Sequence, residues 1–291
     1  MSRIWLMAAR PRTLPAAVAP VLVGTALAAT GGTFRPLTFV AATLGALFIQ
    51  VGTNLSNDYS DARRGADTED RLGPVRVTAG GLVPPRQVLV ATYVAFGLAV
   101  LFGAYLIATT GWELLVIGVA SILAGVLYTG GPRPYGYEGL GEVFVFLFFG
   151  VVAVAGSYFA QTEHWDWVPF ALAVPVGLLA AAILVVNNVR DLETDRRAGK
   201  RTLAVRMGRA RTRTLYLALL AGAFAAAAVP WLAGELDAWV LLCWLALPLA
   251  VPLARTVRTR TDGPALNRAL AGTGMLQLAF CVLLSAGILA S

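Results

Sequence analysis

Residues 168–202 read VPFALAVPVGLLAAAILVVNNVRDLETDRRAGKRT. The stretch begins as an apolar run long enough to cross a bilayer, since a spanning helix needs about 20 largely apolar residues. It continues directly into polar side chains, among them Asn187, Asp191 and Asp195. An apolar span that ends in carboxylates predicts a polar site at one mouth of a helix bundle.

The rest of the chain has the same apolar character. Of its 291 residues, 58% are hydrophobic and 13% are charged, and the mean hydropathy is +0.72. A soluble domain carries about a quarter charged residues, so the composition excludes a water-soluble protein. We expect an all-α integral membrane protein that forms one multi-pass domain, residues 1–291. Nine stretches have the length and apolarity of a span: 14–30, 37–56, 87–109, 112–129, 141–161, 168–189, 214–233, 238–254 and 268–290.

The basic residues predict the orientation. With the N-terminus inside, 22 of the 23 fall in inner loops and only Arg35 falls outside. The positive-inside rule therefore favours nine spans in the cell membrane, with the N-terminus and the acidic loops in the cytoplasm. A cleaved signal peptide is the alternative for the first segment, because Ala26-Leu27-Ala28 resembles a cleavage site. Pro15 and Pro20 interrupt that segment and favour a span.

A second inner segment, NLSNDYSDARRGAD at 54–67, resembles the polar end of the stretch quoted above, residues 187–202. Both contain Asp-x-x-x-Gly with two arginines inside, at 61–65 and 195–199, near half the chain length apart. Two copies of one unusual pattern suggest two related halves that face each other around a central cavity. Either segment alone is also typical of a solvated loop.

The spacing within each copy suggests a metal site. Residues three and four apart share a helix face, so Asn54, Asp58 and Asp61 form one stripe. Asn187, Asp191 and Asp195 form another. Stacked carboxylates destabilise a helix unless a cation neutralises them, and Mg²⁺ binds such oxygen ligands together with substrate phosphates.

The cations around these motifs favour a metal-bridged polyphosphate, because arginine pairs well with phosphate oxygens. Some of them are ordinary positive-inside residues that face anionic lipid. No Walker or Rossmann glycine pattern occurs, so nucleotide binding is not expected. The cations in excess of topological need are Arg63, Arg64, Arg71, Arg76, Arg196, Arg197, Lys200 and Arg201.

A third inner segment, YTGGPRPYGYEGLGE at 128–142, is rich in Gly and Pro and predicts a shaped loop. Its single cation, Arg133, is flanked by aromatic residues. Two interpretations stay open at this point: the loop holds a planar anionic substrate, or it is a turn whose tyrosines lie at the lipid headgroups. His164, the only histidine, is expected in a solvated outer loop, and Cys243 and Cys281 are expected to pack in the core.

Together, these motifs resemble the UbiA superfamily of intramembrane prenyltransferases. Four stretches carry the resemblance: ARPRTLP at 9–15, NDYSDARRGADTEDRLGPVR at 57–76, YTGGPRPYGYEGLGE at 128–142 and NNVRDLETDRRAGKRTLAVRMG at 187–208. Within the superfamily, the sequence is most similar to the branch that prenylates 1,4-dihydroxy-2-naphthoate.

The resemblance implies a fold and a reaction. The fold is a nine-helix bundle whose central cavity opens towards lipid. The reaction is Mg²⁺-dependent transfer of a polyprenyl group from an allylic polyprenyl diphosphate to 1,4-dihydroxy-2-naphthoate. Decarboxylation then gives demethylmenaquinol on the route to menaquinone. The implied partners are these two substrates and the lipid bilayer, with no nucleic acid and no protein partner.

The resemblance also implies residue roles. Many family members have an aspartate where this chain has Gly65, so Asp67 takes its place among the ligands. The acceptor of the phenolic proton stays open. The implied metal ligands are Asn54, Asp58, Asp61, Asp67, Asn187, Asp191 and Asp195, of which Asp58, Asp61, Asp191 and Asp195 are also catalytic. The implied substrate-binding residues are Arg12, Asn57, Arg63, Arg133, Tyr135, Tyr137, Asn188 and Lys200.

Two alternatives compete with this function. A secondary transporter also has carboxylates within the membrane and related halves. Here, however, the acidic residues are expected at the cytoplasmic helix ends rather than at the bilayer midplane. The nearer alternative keeps the fold and chemistry but changes the acceptor to 4-hydroxybenzoate or a chlorophyll or haem precursor.

Overall fold

The computed structural model of the chain describes residues 2–66 and 72–291, and all its regular elements in those ranges are helical. The predicted all-α membrane fold is confirmed at this level. We number the helices of the described part as α1 (Ser2–Ala9), α2 (Pro15–Thr30), α3 (Pro36–Arg63), α4 (Pro85–Thr109), α5 (Glu113–Leu127), α6 (Gly141–Thr162), α7 (Trp167–Arg197), α8 (Leu203–Met207), α9 (Arg209–Leu232), α10 (Ala238–Thr259) and α11 (Gly263–Ala290). Short 3₁₀ turns occur at Pro11–Thr13 and Tyr135–Glu138.

Seven helices of the described ranges are long and apolar enough to cross a membrane, namely α3, α4, α6, α7, α9, α10 and α11. An eighth span results if the bent pair Arg3–Thr13 and Pro15–Thr30, which meet at 51°, is counted as one. Helix α5 has 15 residues and is about 22 Å long, shorter than a hydrocarbon core of about 30 Å. Length and composition therefore give seven or eight spans, and the count of nine stays a prediction.

Helix α7 is the centre of the bundle. It packs against α2, α6, α9 and α11, and side chains all along it, such as Leu172, Leu179 and Val186, are fully buried. A helix that is hydrophobic on all sides belongs inside a bundle. Asp191 in the second acidic motif is therefore buried, and Asp195, one turn further on, is partly exposed.

The contact between α6 and α7 is very close. A Cβ on Gly150 would lie 2.6 Å from the Cα atom of Gly177, so only glycine permits this approach. Helix α6 has a π-helical turn at this point, Leu147–Val152, a local widening of the kind that inserts one extra residue in a helix. The close contact brings the beginning of α6 beside the polar end of α7.

The repeated Asp-x-x-x-Gly pattern ends both motif helices in the same way. Gly65 and Gly199 have φ of 65° and 73°, in the left-handed region that favours glycine. The N–H of Ala66 donates to the carbonyl of Asp61 at 3.0 Å, and the N–H of Lys200 donates to that of Asp195 at 2.9 Å. The pattern is thus a helix-terminating signal that fixes both aspartates in the last turns of α3 and α7. The relation between two whole halves stays a prediction.

Candidate functional site

A cavity of about 430 Å³ is lined by residues of α2 to α7 and by Leu270 of α11. Its charged and amide side chains come from the segment before α2, from α3 and α7, and from the loops that follow these two helices, while most of the remaining wall is apolar. Val100, Leu115 and Val119 line it and also face outwards, so the apolar part reaches the surface beside α4 and α5. The charged and amide side chains that line it are Arg10, Gln50, Asn54, Asn57, Asp61, Arg76, Asn187, Asn188, Asp191, Asp195 and Lys200. This distribution suits a ligand with an anionic head and a long apolar tail.

Asp61 brings three separate segments together. Its Oδ2 atom lies 3.2 Å from Nη2 of Arg76 and 3.3 Å from Nζ of Lys200. Tyr137 donates its hydroxyl to Oδ1 at 2.5 Å, and its ring centroid lies 4.7 Å from the Lys200 ammonium. Because Asp61, Arg76 and Lys200 are all buried, the carboxylate keeps two cations at the cavity wall away from bulk water.

Asp191 has a different cationic partner. Arg190 donates Nε–H to its Oδ1 atom at 2.7 Å and Nη2–H to its Oδ2 atom at 2.5 Å. The same guanidinium donates to the side-chain oxygens of Asn187 and Asn267. Neither Arg190 nor Asn267 was assigned a role from the sequence. The sequence could have indicated Arg190, because this basic residue directly precedes Asp191 at the end of a spanning helix. No motif in α11 indicates Asn267.

Asp58 is absent from the cavity wall that the described residues form. Its carboxylate is buried and accepts backbone N–H bonds from Val77 at 3.1 Å and Thr78 at 2.9 Å. The expected stripe of Asn54, Asp58 and Asp61 is therefore divided. Asn54 and Asp61 line the cavity, whereas Asp58 fastens the loop that carries Arg76.

Three amides fasten further segments around the polar end of the cavity. Asn54 donates to the carbonyl of Ala9 at 3.0 Å and to Thr13 Oγ1 at 3.1 Å, which docks the N-terminal segment on α3. Thr129 donates its hydroxyl to Asn57 Oδ1 at 2.8 Å. Asn188 donates to Glu142 Oε1 at 2.8 Å and joins α7 to the start of α6. Asn54, Asn57 and Asn188 thus shape the site through the segments that they hold.

The loop at 128–140 supplies an aromatic wall. The Tyr135 ring stacks on Phe144 with centroids 4.0 Å apart, and its hydroxyl donates to the carbonyl of Ala124 at 2.8 Å. Burial raises the pKa of the Tyr135 hydroxyl above its ordinary value, so this group stays neutral. Tyr135 and Tyr137 both line the cavity, which favours the interpretation that the loop belongs to the site.

Three expected substrate-binding arginines lie elsewhere. Arg12, Arg63 and Arg133 are exposed and are not among the described residues that line the cavity. Arg63 follows Asp61 by two residues, about 200° around the helix, and donates to Tyr59 Oη at 3.1 Å. Arg10, Arg76 and Lys200 line the cavity instead. Asp67 and Arg71 lie outside the described residues.

The oxygen donors fit Mg²⁺ in one particular way. Within residues 2–66 and 72–291, no three His, Cys, Asp or Glu side chains are grouped closely enough to hold a metal by themselves. Asp61, Asp191 and Asp195 nevertheless line one cavity together with several amides. Mg²⁺ usually takes one or two carboxylates and completes its shell with water and substrate phosphates. The donor set therefore fits a metal that is shared with an anionic ligand.

Known proteins are similar to this chain over nearly its whole length. Residues 17–284 match the UbiA prenyltransferase family. A 1,4-dihydroxy-2-naphthoate octaprenyltransferase of Mycobacterium tuberculosis is 44% identical over 96% of this chain and 94% of its own length. The protein of the same description from Escherichia coli is 38% identical over 96% and 94%.

Solved structures agree on the fold. A UbiA homologue from Archaeoglobus fulgidus bound to GPP and Mg²⁺ has a TM-score of 0.73 at 18% identity and covers 99% of this chain and all of its own. An apo UbiA homologue from Aeropyrum pernix has a TM-score of 0.71 at 15% identity, over 96% and 97% of the two chains. The family resemblance drawn from the motifs is confirmed: the chain belongs to the UbiA prenyltransferase family.

Proposed function

We propose that this chain is an Mg²⁺-dependent prenyltransferase that acts on 1,4-dihydroxy-2-naphthoate. It transfers a polyprenyl group from an allylic polyprenyl diphosphate and releases the carboxylate as CO₂, which gives demethylmenaquinol on the route to menaquinone. The observation that carries the proposal is a cavity that joins a polar end rich in cations and carboxylates to an apolar channel that reaches the surface. The names of the M. tuberculosis and E. coli relatives support the choice of acceptor.

The polar end of the cavity binds the diphosphate. Arg10, Arg76 and Lys200 line it, and arginine and lysine pair with phosphate oxygens through charge-assisted hydrogen bonds. Asp61 holds Arg76 and Lys200 in position before the substrate enters. Mg²⁺, held by Asp61, Asp191 and Asp195, would act as a Lewis acid that neutralises the leaving diphosphate.

The reaction requires that water is kept away from the allylic carbon while its C–O bond breaks. The C–O bond breaks with its electron pair on the diphosphate, and the ring carbon that bears the carboxylate attacks the allylic carbon. The bond to the carboxylate then breaks, its electrons restore the aromatic ring, and CO₂ leaves. The stacked rings of Tyr135 and Phe144 line the same cavity, and aromatic faces of this kind would stabilise the positive charge and exclude water.

The acceptor is tested by competition. Purified protein with geranylgeranyl diphosphate and Mg²⁺ is given equal amounts of 1,4-dihydroxy-2-naphthoate and 4-hydroxybenzoate, and the products are separated by mass. We expect a prenylated naphthalene product without the carboxyl group. A prenylated hydroxybenzoate as the main product would keep the site and contradict the acceptor.

The protein is a multi-pass membrane protein, and we propose that its polar site faces the cytoplasm across nine spans arranged as two related halves. The support is the distribution of basic residues, of which 22 of 23 fall on one side in that arrangement. Arg133 and Glu163 are exposed and lie in the loops before and after α6, so they flank the two ends of this span. A cysteine introduced at Arg133 should react with an impermeant maleimide only in inside-out vesicles, and one at Glu163 only in right-side-out vesicles. The reverse pattern would contradict the orientation.

A further inference from the structure

Arg190 uses its whole guanidinium group to bind neighbouring side chains. It lies in the last part of α7 and is 3% exposed, next to Asp191 at 4%. All three guanidinium nitrogens donate hydrogen bonds. Nε donates to Oδ1 of Asp191 and Nη2 donates to Oδ2. Nη2 also donates to Asn187 Oδ1 at 2.8 Å. The third, Nη1, donates to Asn267 Oδ1 at 2.6 Å.

Asn267 connects this arginine to a distant part of the chain. It projects from α11 and donates its Nδ2–H to the carbonyl of Leu72 at 3.0 Å. Leu72 belongs to the loop that follows the first acidic motif, the same loop that delivers Arg76 to Asp61. Hydrogen bonds through Asn267 and Arg190 thus join the first motif's loop, α11 and the second motif.

The two hydrogen bonds from Arg190 leave Asp191 able to bind a metal. An ionised carboxylate has about four lone-pair sites on its two oxygens, and Arg190 occupies one on each. Asp191 and Asn187 also line the cavity, so their remaining lone pairs are available there. Carboxylates that bind metals are commonly oriented by hydrogen bonds from residues behind them, and loss of such a partner weakens metal binding about 10- to 100-fold.

We propose that Arg190 is a positioning residue. It holds the oxygens of Asp191 and Asn187 in the orientation in which they bind the divalent metal, and Asn267 of α11 keeps the guanidinium in place. The inference rests on the metal dependence in the proposed function and is independent of which acceptor the enzyme uses. It assigns a role to α11, which contains no recognisable motif.

Metal binding tests this role without turnover. Mn²⁺ binding to the purified full-length protein in detergent is followed by electron paramagnetic resonance, in the presence of inorganic diphosphate. Arg190→Gln is expected to weaken Mn²⁺ binding about 10- to 100-fold, and Asn267→Ala is expected to weaken it less. Arg209→Gln is the matched control. Arg209 lies at the start of α9, donates to the carbonyl of Val189 on α7 at 2.7 Å, and approaches Glu193 rather than Asp191. Its Mn²⁺ affinity should match that of the unaltered protein.

Folding is checked separately by circular dichroism, because an unpaired buried carboxylate is strongly destabilising. If Arg190→Gln does not fold, Asn267→Ala decides the question, since it keeps the Arg190–Asp191 ion pair and removes the hydrogen bonds of Asn267 to Arg190 and to Leu72. Unchanged or tighter Mn²⁺ binding in a folded variant would overturn the proposal. Weakened Mn²⁺ binding in the variants would support it even if the unaltered protein failed to prenylate the naphthoate, a result that would contradict only the proposed acceptor.

Discussion

Asp58 and Asp61 are three residues apart and have different surroundings. Asp61 faces the cavity and holds two cations, whereas Asp58 accepts two backbone N–H groups of the following loop. Helical spacing predicted one shared stripe, because it reports which residues share a face. It contains no information about the loop that covers part of that face, and this is why the sequence did not separate the two aspartates.

The Asp58→Asn variant tests this structural role. Its amide would turn an N–H group towards the backbone N–H of Val77 or Thr78, so one buried donor would lose its acceptor. We expect the free energy of unfolding to fall by about 1–3 kcal/mol, as measured by denaturation in detergent. Unchanged stability together with lost Mn²⁺ binding would instead make Asp58 a metal ligand.

Arginines inside and outside the cavity give a second prediction. Arg76→Gln removes a charge-assisted contact worth about 1.5–3 kcal/mol, so the KM for polyprenyl diphosphate should rise about 10- to 100-fold. Arg133→Gln is the control, because Arg133 is exposed and outside the cavity lining. Steady-state kinetics at saturating acceptor would refute the assignment if only the Arg133 variant were impaired.

At the scale of helices, apolar stretches predicted where spans occur but not where the motif helices end. The spans expected at 37–56 and 168–189 extend as helix to Arg63 and Arg197. Apolarity stops where the membrane stops, whereas the helix continues until Gly65 or Gly199 adopts a positive φ. Each glycine was visible in the sequence as part of a repeated pattern, and its local structure gives that pattern a physical cause.

The Gly199→Ala variant should lower stability because alanine is strained in the left-handed region, at a cost of about 1–2 kcal/mol. No atom crowds a Cβ at this position, so strain alone is tested. Gly97→Ala is the control, since Gly97 lies within α4 with open space around it. There alanine should be neutral or stabilising. Equal effects on the two thermal unfolding midpoints would show that the glycine at 199 does not set the helix end.

At the scale of the molecule, composition and motifs were sufficient for the fold class and the family. They also indicated Asp61, Asp191, Asp195 and Lys200, which the structure gathers around one cavity. They did not indicate Asn267, because its contribution comes from tertiary contacts between α11, α7 and a distant loop. Local spacing shows which residues share a face of one helix, whereas a site assembled from several helices also depends on how those helices pack.

The central claim is that this cavity couples prenyl transfer to decarboxylation with the help of a divalent metal. The most direct measurement uses purified protein, geranylgeranyl diphosphate and 1,4-dihydroxy-2-naphthoate labelled with ¹³C in its carboxyl group, with Mg²⁺ or with EDTA. Labelled CO₂ and prenylated product should form in equal amounts with Mg²⁺, and neither should form with EDTA. Equal product yields with and without the metal, or a prenylated product that keeps its labelled carboxyl group, would contradict the account.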